Sequence, residues 1–259
     1  MTTANYTTIA VHAAAPVLSI TLNRPPLNII DIAMMGEISD ALARAEADPA
    51  LRFIVFRAAG AKAFCAGVSI QDHLPATIEQ MIVDFHKIFR QLAKTDRIVI
   101  ASVQGHCLGG GLELVSMCDM VICTEAAQFG QPEIKLGQMP PVGVILLPHL
   151  IGYRKAAEMI LTGASIAARE ALALGLVNRV VANDALAEAT DVLLGEMTAL
   201  SGEALKLTKH LLHRTRGLNF EHLLDDSESF FLRRLAPTHD AKEGILAFLE
   251  KRAPKWTNH

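Results

Sequence analysis

The chain has 259 residues, 51% of them hydrophobic and 20% charged, with a formal net charge of −3. That supply of apolar side chains is enough for one sizeable core and excludes general disorder. The charge balance gives no global attraction to nucleic acid or anionic membrane. No run of roughly 18 uninterrupted apolar residues exists, so the mean hydropathy of +0.30 reflects alanine-rich helices rather than a membrane span.

In chain order, the N-terminal stretch MTTANYTTIAVHAAAPV lacks a basic start and a long apolar segment, so no signal peptide is expected. Residues 17–22, 53–57, 98–103 and 119–123 read as buried strands, rich in Val and Ile and closed by turn residues. Between the first two, Asp31 is placed to cap a helix with Met34, Ile38, Leu42 and Ala45 on one face. A second helix is expected over 77–93. Strands alternating with helices imply right-handed crossovers and a largely parallel sheet. From about 153 the pattern is almost all helical, over 153–162, 167–174, 184–200, 202–215, 218–234 and 239–251, with a short extended piece in 175–181. Gly163, Gly175, Gly202, Gly217 and Pro237 separate these units.

Three segments carry chemistry. KAFCAGVSI (62–70) follows a strand. QGHCLGGGLELVSMCD (104–119) places Gly109, Gly110 and Gly111 between a strand and a helix, where a ligand can approach backbone N–H groups and the positive helix end. QFGQPEIKLGQMPP (128–141) is turn-rich and holds Glu133. Glu113 lies among Leu112, Leu114 and Val115, a costly place for a carboxylate that is neither paired nor used. Each glutamate alone reads equally well as structural: Glu113 reaching solvent or a salt bridge, Glu133 starting a helix after Pro132. Two carboxylates with two glycine-bearing turns make a stronger set. One carboxylate can deprotonate water and the other deliver a proton, while backbone N–H groups receive charge on a carbonyl oxygen. That combination suits addition of water to a double bond conjugated to a carbonyl.

The segments ITLNRPPLNIID, KAFCAGVSI, GHCLGGGLELVSMCD and AQFGQPEIKLG, in this order, resemble the enoyl-CoA hydratase/isomerase (crotonase) superfamily over nearly the whole chain. The twenty positions from Glu113 to Glu133 match its hydratases. The resemblance implies an α/β fold, a crotonase-like spiral of ββα units with a helical C-terminal region. It implies an acyl-CoA-binding catalytic core over 1–190 and a trimerisation region over 191–259. It assigns catalysis to Glu113 and Glu133 and the oxyanion donors to the backbone N–H groups of Val68 and Gly110. Ala66 and Ile70 match positions lining the adenine and pantetheine site, and Ser69, Gln71 and Pro141 join the substrate-binding set. Coenzyme A enters as part of the substrate, with no separate cofactor and no metal. The partners implied are an acyl-CoA thioester and further copies of the chain, as a homotrimer or a hexamer, without nucleic acid or membrane.

Two departures stand out. Ser69 replaces a usual acidic residue, and Pro141, which lacks an N–H, stands where many hydratases have glycine. GVSIQDHLP, FGQPEIKLGQMPPVGVILLPHLIG and THDAKEGILAFLEKRAPKW are similar to cyclohexa-1,5-diene-1-carbonyl-CoA hydratases of anaerobic benzoyl-CoA degradation. That resemblance implies 1,4-addition of water giving 6-hydroxycyclohex-1-ene-1-carbonyl-CoA. The alternatives are a linear 2-enoyl-CoA hydratase, an enoyl-CoA isomerase, and a non-catalytic acyl-CoA- or RNA-binding paralogue.

The remaining signals read as structural. His210, His213 and His222 lack a third ligand at metal-binding spacing. Lys206, Lys209, His210, Arg214 and Arg216 are read as a solvated basic face, with CoA phosphate or RNA as weaker readings. His106 is read as packing or bonding locally. GHCLGGG is neither a P-loop nor a dinucleotide motif. Cys65, Cys107, Cys118 and Cys123 read as packing thiols in a reduced, cytoplasmic compartment.

Overall fold

The structure, a computed structural model, describes residues 5–215 and 219–257. An antiparallel hairpin opens the chain, β1 (Ile9–Ala14) with β2 (Val17–Leu22), followed by α1 (Ile32–Ala47). Asp31 caps α1 by accepting the Met34 N–H at 2.9 Å, and Met34, Ile38, Leu42 and Ala45 are buried on one face. Three strand–strand–helix units then follow. They are β3 (Phe53–Ala58), β4 (Ala63–Cys65) and α2 (Ile78–Lys94); β5 (Ile98–Val103), β6 (His106–Leu108) and α3 (Gly110–Met117); and β7 (Met120–Thr124), β8 (Gln128–Gly130) and α4 (Gly143–Ile151).

The first strand of each unit joins a sheet ordered β1-β2-β3-β5-β7-β10, and the second joins a smaller sheet ordered β4-β6-β8-β9. The repeated unit is the ββα spiral. The chain continues through α5 (Tyr153–Thr162), β9 (Ser165–Ala167), α6 (Ala168–Ala173), β10 (Arg179–Val181), α7 (Leu186–Thr198), α8 (Gly202–Thr215), α9 (Phe220–Phe230) and α10 (His239–Leu249). Pairing is parallel except at β1–β2 and β8–β9.

The core gathers α1, α2 and α3 with strands of both sheets. Phe56, Phe64, Phe89 and Phe129 are fully buried there, each contributing roughly 1.5–3 kcal/mol. A smaller cluster joins Phe53, Val55, Ile98, Ile100 and Ile122 of the sheet to Leu193, Leu194 and Met197 of α7. Positions 190 and 191 lie within α7, whose apolar stripe packs on the large sheet. The expected helix over 218–234 ends its α-helical part at Phe230 and continues as a π-helical turn, Phe231–Leu235. Arg216, Gly217 and residue 218 lie outside the described residues.

The basic face expected on α8 is not a uniformly solvated one. Lys209 is buried, with its Nζ donating to the Arg97 carbonyl and, at 2.7 Å, to Asp119 Oδ2. His213 Nε2 lies 3.1 Å from Asp119 Oδ1. These bonds tie α8 to the start of β7. Among the described residues no helix is long and apolar enough to cross a membrane.

Candidate active site

Two turns, one after β4 and one after β6, build the site. Cys65 and Cys107 anchor them in the small sheet, paired as neighbouring strands. The chain then passes through Gly67 (φ +118°) and Gly109 (φ +54°), conformations that L side chains rarely adopt. The residue after each glycine is the expected donor, Val68 or Gly110. An ideal Cβ on Gly109 would lie 3.5 Å from Gly67 Cα, and one on Gly110 would lie 2.6 Å from Val68 Cγ2, so the turns are in contact. Gly110 begins α3, whose first N–H groups have no partner within the helix. Among the described residues neither the Val68 nor the Gly110 N–H meets a protein acceptor.

The first turn is held by the ITLNRPPLNIID segment. Ala66 N–H donates to Leu27 O at 2.9 Å, Ile30 N–H to Gly67 O at 3.0 Å and Ser69 N–H to Ile30 O at 2.8 Å. Asn28, fully buried, donates through Nδ2 to Ala59 O and Ala63 O, both at 2.9 Å. Asn28 was not singled out in the sequence, where an Asn beside a proline pair reads as an ordinary turn residue.

Glu113 resolves the paradox of its apolar neighbours. It is 3% exposed, one helical turn into α3, and its Oε1 accepts the Val142 and Gly143 N–H groups, each at 2.8 Å. The carboxylate thereby satisfies two orphan donors at the start of α4 and sits at the positive end of that helix. Bonds to a charged acceptor contribute about 1.5–3 kcal/mol each, which offsets much of the burial cost.

Glu133 begins a 3₁₀ turn, Glu133–Leu136, after Pro132, as the structural reading of that residue requires, and it also lines the same cavity. Gln131, fully buried, lies against it. With its amide nitrogen turned toward the carboxyl, Gln131 donates to Oε1 at 2.9 Å and Oε2 at 3.1 Å. Gln131 gave no signal in the sequence, because its partner is defined only by the fold.

The cavity has a volume of about 90 Å³. Ala66, Val68, Ile70, Gly110, Glu113, Glu133 and Pro141 line it together, with apolar walls from Ile82, Phe85, Met139 and Phe231. Ser69 and Gln71 are not among its lining residues. Ser69 spends its N–H on Ile30 and its carbonyl on His73 Nδ1 at 2.8 Å, and Gln71, itself exposed, starts a 3₁₀ turn. His106 is exposed on β6 and also lies outside the lining. The four cysteines are free and buried, and burial pushes the Cys65 thiol up to about 12, far from the reactive thiolate range.

Burial pushes the Glu113 carboxyl up to about 7, against the pull of the Gly143 and Val142 N–H groups. Burial, and after it the charge of Glu113, also push the Glu133 carboxyl well above its ordinary value. Both carboxyls therefore hold their protons to higher pH than free carboxylic acids do. The native state holds protons that the unfolded chain has already released, so stability falls as pH rises from the ordinary carboxylate range to 7 and beyond. Glu133→Gln removes the repulsion. Its melting temperature is expected to rise relative to wild type by more at pH 8 than at pH 5. Thermal melts at both values check this, and an equal change at both would show that Glu133 holds no extra proton in the native state.

A family profile described as enoyl-CoA hydratase/isomerase matches residues 12–259. A probable enoyl-CoA hydratase, echA8, of Mycobacterium bovis is 38% identical over 98% of this chain and 99% of its own. The cyclohexa-1,5-dienecarbonyl-CoA hydratase of Thauera aromatica is 34% identical over 93% of each chain. Among solved structures, an enoyl-CoA hydratase from Mycobacterium avium subsp. paratuberculosis superposes with a TM-score of 0.88 at 28% identity, covering 97% of this chain and 99% of that one.

Proposed function

The chain belongs to the enoyl-CoA hydratase/isomerase family, and from that premise we propose that it hydrates an α,β-unsaturated acyl-CoA, with cyclohexa-1,5-diene-1-carbonyl-CoA as its substrate. The observation that carries the hydratase reading is the convergence of two unlike carboxyls and two unpartnered N–H groups on one cavity. Coenzyme A belongs to the substrate, and no further cofactor or metal takes part.

Opposed environments assign the roles. Glu113, held by two N–H groups, is the base that takes a proton from water. Hydroxide adds to the ring carbon β to the thioester. The electron pair moves through an extended dienolate onto the thioester oxygen, where the Val68 and Gly110 N–H groups stabilise it. Glu133, without those two donors and with its carboxyl raised by burial and by Glu113, gives its proton to the far end of the dienolate, leaving one ring double bond conjugated to the thioester. The proton on Glu113 then restores Glu133. Water has added across the 1 and 4 positions of the diene, giving 6-hydroxycyclohex-1-ene-1-carbonyl-CoA. An isomerase needs only one carboxyl to carry a proton between two carbons, so the retained pair favours hydration.

The cyclic substrate is supported by the match to the Thauera aromatica enzyme along 93% of the chain and by the compact apolar walls around Met139, Pro140 and Pro141. The assembly we propose is a homotrimer, or two paired into a hexamer, and the exposed Leu207 and Leu211 on one face of α8 suit such a contact. The free cysteines accord with a reducing compartment, and we place the enzyme in the cytoplasm.

Initial hydration rates on cyclohexa-1,5-diene-1-carbonyl-CoA and crotonyl-CoA, with products identified by mass and retention time, test the substrate. Faster turnover of the ring is expected. Preference for crotonyl-CoA would remove the cyclic substrate and leave the hydratase assignment standing.

A further inference from the structure

Pro141 has no N–H, and its carbonyl accepts the Ser227 hydroxyl at 2.7 Å. That carbonyl belongs to the same peptide unit as the Val142 N–H, which donates to Glu113 Oε1 at 2.8 Å. One amide plane thus joins a hydroxyl on α9, in the C-terminal part of the chain, to the proposed catalytic base on α3. A donor on the carbonyl side of an amide polarises it and strengthens donation by its N–H, and it also fixes the plane of the peptide.

The neighbours of Ser227 hold it in place. Glu228, the next residue, lies 2.8 Å from Nδ1 of fully buried His86 on α2 and 3.3 Å from Arg90 Nη2. Arg90 also donates to Asp225 at 2.7 Å. This turn of α9 is therefore tied to α2, whose Phe85 walls the cavity.

We propose that Ser227 is a positioning residue for Glu113, setting the 141–142 peptide so that the base keeps its Val142 donor. The inference rests on the hydratase reading above. It gives the C-terminal helices a share in the chemistry of the core, through a backbone carbonyl of the turn before α4.

Ser227→Ala suits the test because alanine favours the helix and the backbone bonds of α9 are untouched. It is expected to lower kcat about threefold to tenfold, the worth of one hydrogen bond, with KM little changed. Glu113 faces Glu133 and His73 in the same cavity. A weaker Val142 donor destabilises its ionised form, so the acid limb of the kcat/KM profile is expected at higher pH in Ser227→Ala than in wild type. Ser227→Thr keeps the hydroxyl and is expected to restore both rate and profile. The measurement uses whichever of the two acyl-CoA substrates wild type hydrates faster, with Glu113→Gln run alongside.

An inactive Glu113→Gln with an unaltered Ser227→Ala overturns the positioning role and leaves the hydratase reading intact. A slowed Ser227→Ala with an unmoved acid limb, or one that Thr does not rescue, also overturns it and reduces the contact to packing. A Glu113→Gln that keeps wild-type rates overturns the role of Glu113 as base and the positioning role with it, whereas a wild type that hydrates neither substrate overturns the hydratase reading itself.

Discussion

Glu113→Gln and Glu133→Gln are each expected to lower kcat for hydration by about 10²–10⁴-fold, the range for losing a positioned acid or base. Both substitutions keep the shape of the side chain. The amide oxygen at position 113 can still accept from Val142 and Gly143, the bonds that now hold Glu113 Oε1 at 2.8 Å. The fold should therefore survive, and KM should change far less than kcat. The two variants fail for different reasons. Glu113→Gln leaves water without a base, whereas Glu133→Gln leaves the dienolate without a proton source. Rate measurements at neutral pH check both, with thermal melts to establish that each variant is folded. Near-wild-type hydration by both variants would falsify the two-carboxyl mechanism.

The same pair shows how far residue order reaches toward a site. Glu113 was conspicuous in the sequence because a charged residue among Leu112, Leu114 and Val115 demands a partner, and burial at 3% exposure bears out that demand. The identity of the partner was hidden, since Val142 and Gly143 donate through the backbone from 29 and 30 positions away. Backbone donors leave no mark in side-chain pattern. Gln131, Asn28 and Ser227 were hidden for a related reason. Each is a common polar residue whose function is set by what the fold places opposite it.

Among the strands, VLSITL and IVIASV were legible because six-residue stretches rich in Val, Ile and Leu stand out from their turns. The small sheet was not read as such, because β4, β6, β8 and β9 have three residues each, too short for any period to register. Those short strands nevertheless bring Val68 and Gly110 to one cavity. The spiral in which they lie was reached through the family resemblance rather than through periodicity. Ser69 and Gln71 mark the opposite case. The family resemblance placed them in the substrate-binding set, yet neither lines the cavity, although Ile70 between them does.

Gly110→Ala is expected to lower kcat/KM for hydration by about 10²-fold, the loss that follows when one oxyanion donor is displaced. Gly110 is in α3 with an ordinary φ, so alanine meets no backbone strain there and favours the helix by propensity. The obstacle is space. The added methyl would lie 2.6 Å from Val68 Cγ2 and 2.9 Å from Phe85 Cζ. Val68 is short and branched, with no flexible end to swing aside, and Phe85 is buried edge-on against Phe89 at a 4.9 Å centroid separation. Relief must therefore come from moving one turn away from the other, which separates the two N–H groups meant to share one oxygen. Gly36→Ala is the control. It too lies in a helix, α1, with nothing within 4 Å of the added carbon. It is expected to leave turnover unchanged and raise stability by about 0.5–1 kcal/mol. Parallel rates and melts on the two variants separate a general effect of alanine in helices from the specific cost of parting Val68 and Gly110. A Gly110→Ala variant within about threefold of wild type would mean that the two turns do not act jointly on the thioester oxygen, because an oxyanion contact is worth far more than that.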